Sequence, residues 1–178
     1  MRVELEKLGI VKPKVTSEVK SEIRILDALD RQGVKIDSSE VKVGAASNDT
    51  VSVGLVFGRK TGPLGSAFVR LLTTPKVGQE ALTVILEPNL AVKPSALMFP
   101  IRTIKSMRQA SLFYGPVQSG AGKAVATYLE RGVISKMEQD EFVMIMAMDV
   151  NLYSRNRRQI TQASQSAVEE ALTEIWGE

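Results

Sequence analysis

The chain contains no histidine and no cysteine, and it has a single tryptophan. Each absence removes a class of chemistry. Without imidazole, no side chain has an unperturbed pKa near neutrality, so acid–base work falls to carboxylates, lysine, tyrosine or groups of the substrate. Ser–His and Cys–His nucleophile pairs are excluded within one chain. So are histidine- or thiolate-ligated zinc and a disulfide framework. Aromatic residues make up only 5% of the sequence, which leaves the core to Val, Leu, Ile, Met and Ala. No apolar stretch reaches the length of a membrane span, and Met1-Arg2-Val3-Glu4-Leu5-Glu6-Lys7 lacks the apolar centre of a signal peptide. A cytoplasmic protein that makes no membrane contact is the expectation.

What is present is the composition of a folded domain. Hydrophobic residues account for 44% and charged residues for 24%, enough apolar material for a packed core. A length of 178 residues fits one domain with short extensions. The 23 basic and 20 acidic residues leave a net charge of +3, too balanced to imply nucleic-acid binding. The densest positive patch, Arg155-Asn156-Arg157-Arg158, reads as a solvated loop or first helical turn. Cations there would lie at the unfavourable end of a helix dipole, so contact with a negatively charged partner is the alternative.

Spacing of apolar residues gives the elements. Val19, Ile23, Leu26 and Leu29 predict a helix over Ser17–Arg31, stopped by Gly33. Val51–Phe57 reads as a strand in which Gly54 is a bulge or a point of close approach. Pro63 suits the first turn of a helix running to Leu72. Ala81–Leu86 and Ala96–Phe99 read as strands. Thr103 is placed to cap a helix through Leu112, which Gly115-Pro116 would end, and Ala121–Leu129 predicts another, closed by Gly132. Small residues at Gly120, Ala121, Gly122, Ala124 and Ala126 would let that helix approach a neighbour closely. Phe142–Met148 is a continuous apolar run, as in a strand buried on both faces, and its Met144, Met146 and Met148 fit core filling better than metal binding. A last helix shows the stripe Ile160, Ala163, Ala167, Val168, Ala171, Leu172 and Ile175. No phosphate-binding glycine motif is present; Gly120-Ala121-Gly122-Lys123 lacks the preceding strand.

One region is far more specific. Glu87-Pro88-Asn89-Leu90-Ala91-Val92-Lys93-Pro94-Ser95-Ala96-Leu97-Met98-Phe99 is followed at fixed spacing by Thr103-Ile104, Arg108-Gln109-Ala110 and Gly115-Pro116-Val117-Gln118. Upstream stand Asn48-Asp49, Leu55 to Gly58 and Ala67-Phe68. This pattern resembles the formaldehyde-activating enzyme family, from Asn48 to Trp176. The resemblance implies an α+β fold, a ribosomal protein S5 domain 2-like α/β sandwich. Residues 1–39 would then be a helical extension and residues 40–178 the formaldehyde-activating-enzyme-like domain. It also implies a homopentamer with sites between subunits. The implied activity is condensation of formaldehyde with tetrahydromethanopterin, a tetrahydromethanopterin hydro-lyase reaction of the carbon–nitrogen lyase type.

The site residues that the resemblance implies are mostly replaced. Ser52 stands at the position of the family's catalytic histidine, and Gly54 at that of a pterin-binding aspartate. Thr83 stands for a leucine, Ile101 (beside Arg102) for a lysine, and Asn151 for a second histidine. Thr103 and Gln118 match and are the residues expected to touch a tetrahydropterin, unless Thr103 is only a helix cap and Gln118 only part of a turn. Loss of hydroxide from the carbinolamine intermediate needs an acid, and a serine hydroxyl cannot serve near neutral pH. No catalytic residue and no metal ligand is assigned. Three readings follow. The chain is a binding, sensing or accessory member of formaldehyde metabolism. Or it is an active enzyme using Asp49, Glu87 or Asp149 as a relocated acid, its pKa raised by burial. Or it is a scaffold whose N-terminal helix docks a partner. Expected ligands are formaldehyde and a tetrahydropterin, and the expected partner is a second copy of the chain.

Overall fold

Strands that are apolar at successive positions need cover on both faces, and three such strands organise this protein. The computed structural model describes residues 25–151 and 156–177. In chain order these form α1 (residues 25–31), β1 (Lys42–Ser47), β2 (Val51–Arg59), α2 (Pro63–Thr73), β3 (Leu82–Thr83), β4 (Ile85–Glu87), β5 (Leu90–Ala91) and β6 (Ser95–Pro100). There follow α3 (Met107–Leu112), a π turn (Phe113–Val117), α4 (Gln118–Glu130), α5 (Lys136–Glu141), β7 (Phe142–Val150) and α6 (Arg157–Trp176). Five strands make a mixed sheet in the order β1-β2-β7-β6-β3, while β4 and β5 form a separate ribbon. β6 runs parallel to β7, and the other pairings are antiparallel. The fold is α+β.

Alternation along β2, β6 and β7 splits the core in two. Val53, Leu55, Phe57, Met98, Met144, Met146 and Met148 face α4 and α6. Val56, Leu97, Phe99, Val143, Ile145 and Ala147 face the other way, toward α2 and α1, where Ile25, Ala28 and Leu29 are buried. α4 and α6 come close because Gly120 has no side chain; a Cβ there would lie 2.3 Å from the Thr161 carbonyl oxygen. The run of small residues thus serves packing within the subunit. Ser164, buried on α6, gives its hydroxyl proton to the Val117 carbonyl at 2.6 Å, which satisfies a polar group that the apolar stripe does not predict.

Several expectations are corrected. The strand over Ala81–Leu86 is two strands in two sheets, broken at the fully buried Val84. Thr103 caps nothing. The cap of α3 is Ser106, whose hydroxyl accepts from the Gln109 N–H. Gly115-Pro116 does not end the helix either, because the chain passes through the π turn into α4, which begins at Gln118. A proline has no N–H to lose, and the wider turn accommodates it. Gly54 makes no bulge, since the β2–β7 register runs unbroken from Val51↔Val150 to Arg59↔Phe142. The predicted N-terminal helix is seen from residue 25 onward and ends at Gly33 with φ +80; its earlier part, and Arg155, lie outside the described residues. Arg157 and Arg158 form the first turn of α6, capped by the Asn156 side chain.

Candidate active site

The register of β2 against β7 sets Ser52 opposite Asp149, at the sheet end where both strands finish their buried stretch. The Ser52 hydroxyl lies 2.7 Å from that of Ser47 on β1. Just beyond, the Asn48 side chain shapes the β1–β2 turn. Its Oδ1 accepts from the N–H groups of Thr50 and Val51 at 3.0 and 2.8 Å, and its Nδ2 donates to the Ala163 carbonyl of α6 at 3.0 Å. Asn151 closes the turn, its backbone N–H donating to Thr50 O at 2.7 Å and its Nδ2 to Asp49 O at 3.2 Å. Asn48, Asp49, Thr50, Ser52 and Asn151 line a depression of about 420 Å³ together with Arg102 and Asp149.

Arg102 and Asp149 divide this depression from a larger one. The guanidinium grips both carboxylate oxygens, Nε to Oδ1 at 2.9 Å and Nη2 to Oδ2 at 2.8 Å. This forked geometry favours the ionised pair, and the hydrogen bond to Asp149 raises the Arg102 pKa from its ordinary value. On the other side lies a cavity of about 500 Å³, whose walls include Arg31, Ile101, Thr103, Lys105 and Phe113. Hydrogen bonds help to hold the segment after β6 that carries Ile101 and Thr103. Ile101 N–H donates to Met148 O at 2.9 Å, Ile104 N–H to Gly78 O at 2.7 Å, and the Gln79 amide to Ile101 O at 2.7 Å.

The structure therefore brings Ser52, Asn151, Ile101 and Thr103 to one ion pair, and leaves the other expected positions elsewhere. Gln118 is buried at the start of α4 and donates its amide to the Ile85 carbonyl at 2.7 Å, so it ties the β4–β5 ribbon to the helix and lines neither cavity. It is not part of a turn, as the sequence allowed. Thr83 lies on the edge strand β3, paired with Leu97. Gly54 is a point of close approach, because a Cβ there would sit 2.8 Å from the Cβ of Ile25. An aspartate at this position would collide with α1.

The three carboxylates considered as relocated acids sit in different settings. Asp49 and Glu87 are exposed. Asp149 has both oxygens committed to Arg102. Tyr114, whose hydroxyl donates to Glu80 O at 3.0 Å, is pushed up in pKa by burial and then by the Glu80 charge, away from a role as acid at neutral pH. Among the described residues no cluster of three or more His, Cys, Asp or Glu could hold a metal ion, and no helix is long and apolar enough to cross a membrane. Sequence reading missed Arg31 as a wall of the cavity and the pairing of Arg102 with Asp149. Forty-seven positions separate that pair, and no local pattern announces it.

Residues 40–176 match the family model described as formaldehyde-activating enzyme (Fae). Relatives include a protein of Methanosarcina barkeri named bifunctional enzyme Fae/Hps, 40% identical over 124 residues, which is 67% of this chain and 32% of the relative. Proteins of the same name from Archaeoglobus fulgidus and Methanosarcina mazei are 36% identical over 112 residues and 35% over 133. These cover 63% and 75% of this chain and 28% and 34% of the relatives. The chain thus spans about a third of the length of the curated relatives it matches. The matched residues take in every strand of the sheet and the last helix, and the chain belongs to the formaldehyde-activating enzyme family.

Proposed function

We propose that this chain works in formaldehyde-linked one-carbon metabolism as a binding, sensing or accessory member of its family, with formaldehyde and tetrahydromethanopterin or a related tetrahydropterin as ligands. The observation that carries the reading is the chemistry around the Arg102–Asp149 pair. The two histidine positions implied by the family are Ser52 and Asn151, neither of which gives up a proton near neutrality. Each carboxylate considered as a substitute is exposed or engaged. Thr103, by contrast, faces a cavity large enough for a bicyclic ligand.

The same reading includes the ribosomal protein S5 domain 2-like arrangement, a cytoplasmic location and assembly into a homopentamer. Support for assembly comes from Ile85, Leu86 and Leu90, apolar and exposed on the β4–β5 ribbon, where a neighbouring copy would shield them.

Calorimetric titration with tetrahydromethanopterin, followed by the condensation rate with formaldehyde at saturating pterin, tests the proposal. The expected result is measurable pterin binding with a rate close to that in buffer. An acceleration of about a hundredfold or more, the scale of a positioned general acid, would show that a proton donor operates after all. Absence of pterin binding would remove the ligand assignment.

A further inference from the structure

The cavity beside Thr103 carries more positive charge than it neutralises. Three cationic side chains, Arg31, Arg102 and Lys105, and one acidic side chain, Asp149, line it. Asp149 is committed to Arg102 through both oxygens. Among the described residues neither the Arg31 guanidinium nor the Lys105 ammonium has a carboxylate partner. The remaining wall is largely apolar, made by Pro100, Ile101, Ile104, Phe113, Met148 and Val150. The two amides at hand are occupied, Gln79 by the Ile101 carbonyl and Gln109 by the Lys105 N–H. A concavity with a largely apolar wall and two cations that lack a carboxylate partner among the described residues selects for a ligand with a flat apolar body and an anionic end.

We infer that this cavity is a binding site for an organic anion, an aromatic body bearing a carboxylate or phosphate, and that Arg31 and Lys105 hold the charged end. Arg31 belongs to α1, outside residues 40–176 that match the family. The N-terminal helix therefore supplies one of the two charges that set specificity, besides covering the sheet. The inference is independent of the ligand assigned above, since it concerns charge and shape and holds for a body that is not a pterin.

The test uses the full chain and three probes that share one ring system: β-naphthoate, β-naphthyl phosphate and the neutral β-naphthamide. Calorimetric titration at low salt should show at least one acid binding about ten times more tightly than the amide, with the preference shrinking as salt is added. A tighter naphthoate identifies a carboxylate ligand, and a tighter naphthyl phosphate a phosphate ligand. Arg31→Gln and Lys105→Gln should each weaken acid binding about tenfold and leave amide binding and the thermal midpoint unchanged, because both side chains are exposed. Equal affinity for amide and acids, no binding of either acid at millimolar concentration, or acid binding that survives both substitutions would overturn the inference. Because the probes contain no pterin, acid binding together with failure to bind tetrahydromethanopterin would sink the functional reading above and leave this one standing.

Discussion

One face of the central sheet is covered by α4 and α6, which lie within the residues that match the family; the other is covered by α2 and by α1, which precedes them. The first face carries the methionine-rich side of β7 and the tryptophan of the last helix turn. The second carries Ser52's neighbour Gly54, whose missing side chain makes room for Ile25. The same strand therefore packs large side chains on one side and, at Gly54, the backbone against α1 on the other. Aspartate at 54 and Ile25 in its present place exclude each other, so the covering helix and the bare glycine go together.

The substitution that strikes hardest at this pairing is Gly54→Asp. It forces a side chain into Ile25 and buries a carboxylate without a partner, so a loss of about 4 kcal/mol is expected in urea denaturation. Hydrogen-exchange protection should fall first over residues 25–31. Full stability with α1 still protected would break the coupling of glycine to helix.

Next in size is a matched pair of truncations. Leu29 and Leu172 are both fully buried, one on each face, and Leu29→Ala and Leu172→Ala should each cost about 3 kcal/mol. Equal shifts of the urea midpoint are expected if both faces belong to one cooperative unit. A much smaller shift for Leu29→Ala, with faster exchange confined to residues 25–34, would mark α1 as a separately opening cover.

The smallest effect distinguishes the faces by pH. On the α6 side Glu138 completes the capping box of α5 with Ser135 and accepts from the Trp176 indole N–H at 3.3 Å. Burial pushes its pKa up, but the hydrogen bonds from the Ser135 N–H, Trp176 and the Ser135 hydroxyl outweigh this, and the net shift is downward. The folded value lies below the unfolded one, so the stabilisation is complete above the ordinary glutamate range and is lost as pH falls through the folded value. Glu138→Gln should cost about 1 kcal/mol near neutrality and less at acid pH, read from thermal midpoints across that range. A cost that stays constant with pH would mean that the carboxylate charge is irrelevant.

Much of the first face is readable from the sequence, because its signals are local and repeated. The unbroken run Phe142–Met148 reads as a strand covered twice, and the stripe from Ile160 to Leu172 as a helix against a core, and both form as read. Elements with weak local signals are lost. β1 is built of Lys42, Val43, Gly44, Ala45, Ala46 and Ser47, too small and irregular to show alternation. α5 does carry a legible start in Ser135 and Glu138, yet six residues are too short for periodicity to speak. Val84 misled by being apolar like its neighbours while marking the point where the chain leaves one sheet for another. The site is legible only as a set of substitutions. That Ser52, Asn151, Ile101 and Thr103 converge on Arg102 and Asp149, and that Arg31 joins them, depends on contacts between segments far apart along the chain.

The π turn at Phe113–Val117 has a consequence for how one rod serves two purposes. Such a turn holds one residue more than the α turn it replaces, and each residue advances an α-helix by about 100°, so everything after Pro116 is rotated by roughly a quarter-circle against what came before. Upstream, Gln109 and Phe113 are phased toward the cavity beside Thr103; downstream, Gln118 is phased toward the ribbon, and Ala121 and Val125 toward the sheet. Removing one residue here would restore an even spiral and turn one set of contacts away from its target. An irregularity in the backbone thus keeps pocket and scaffold in step.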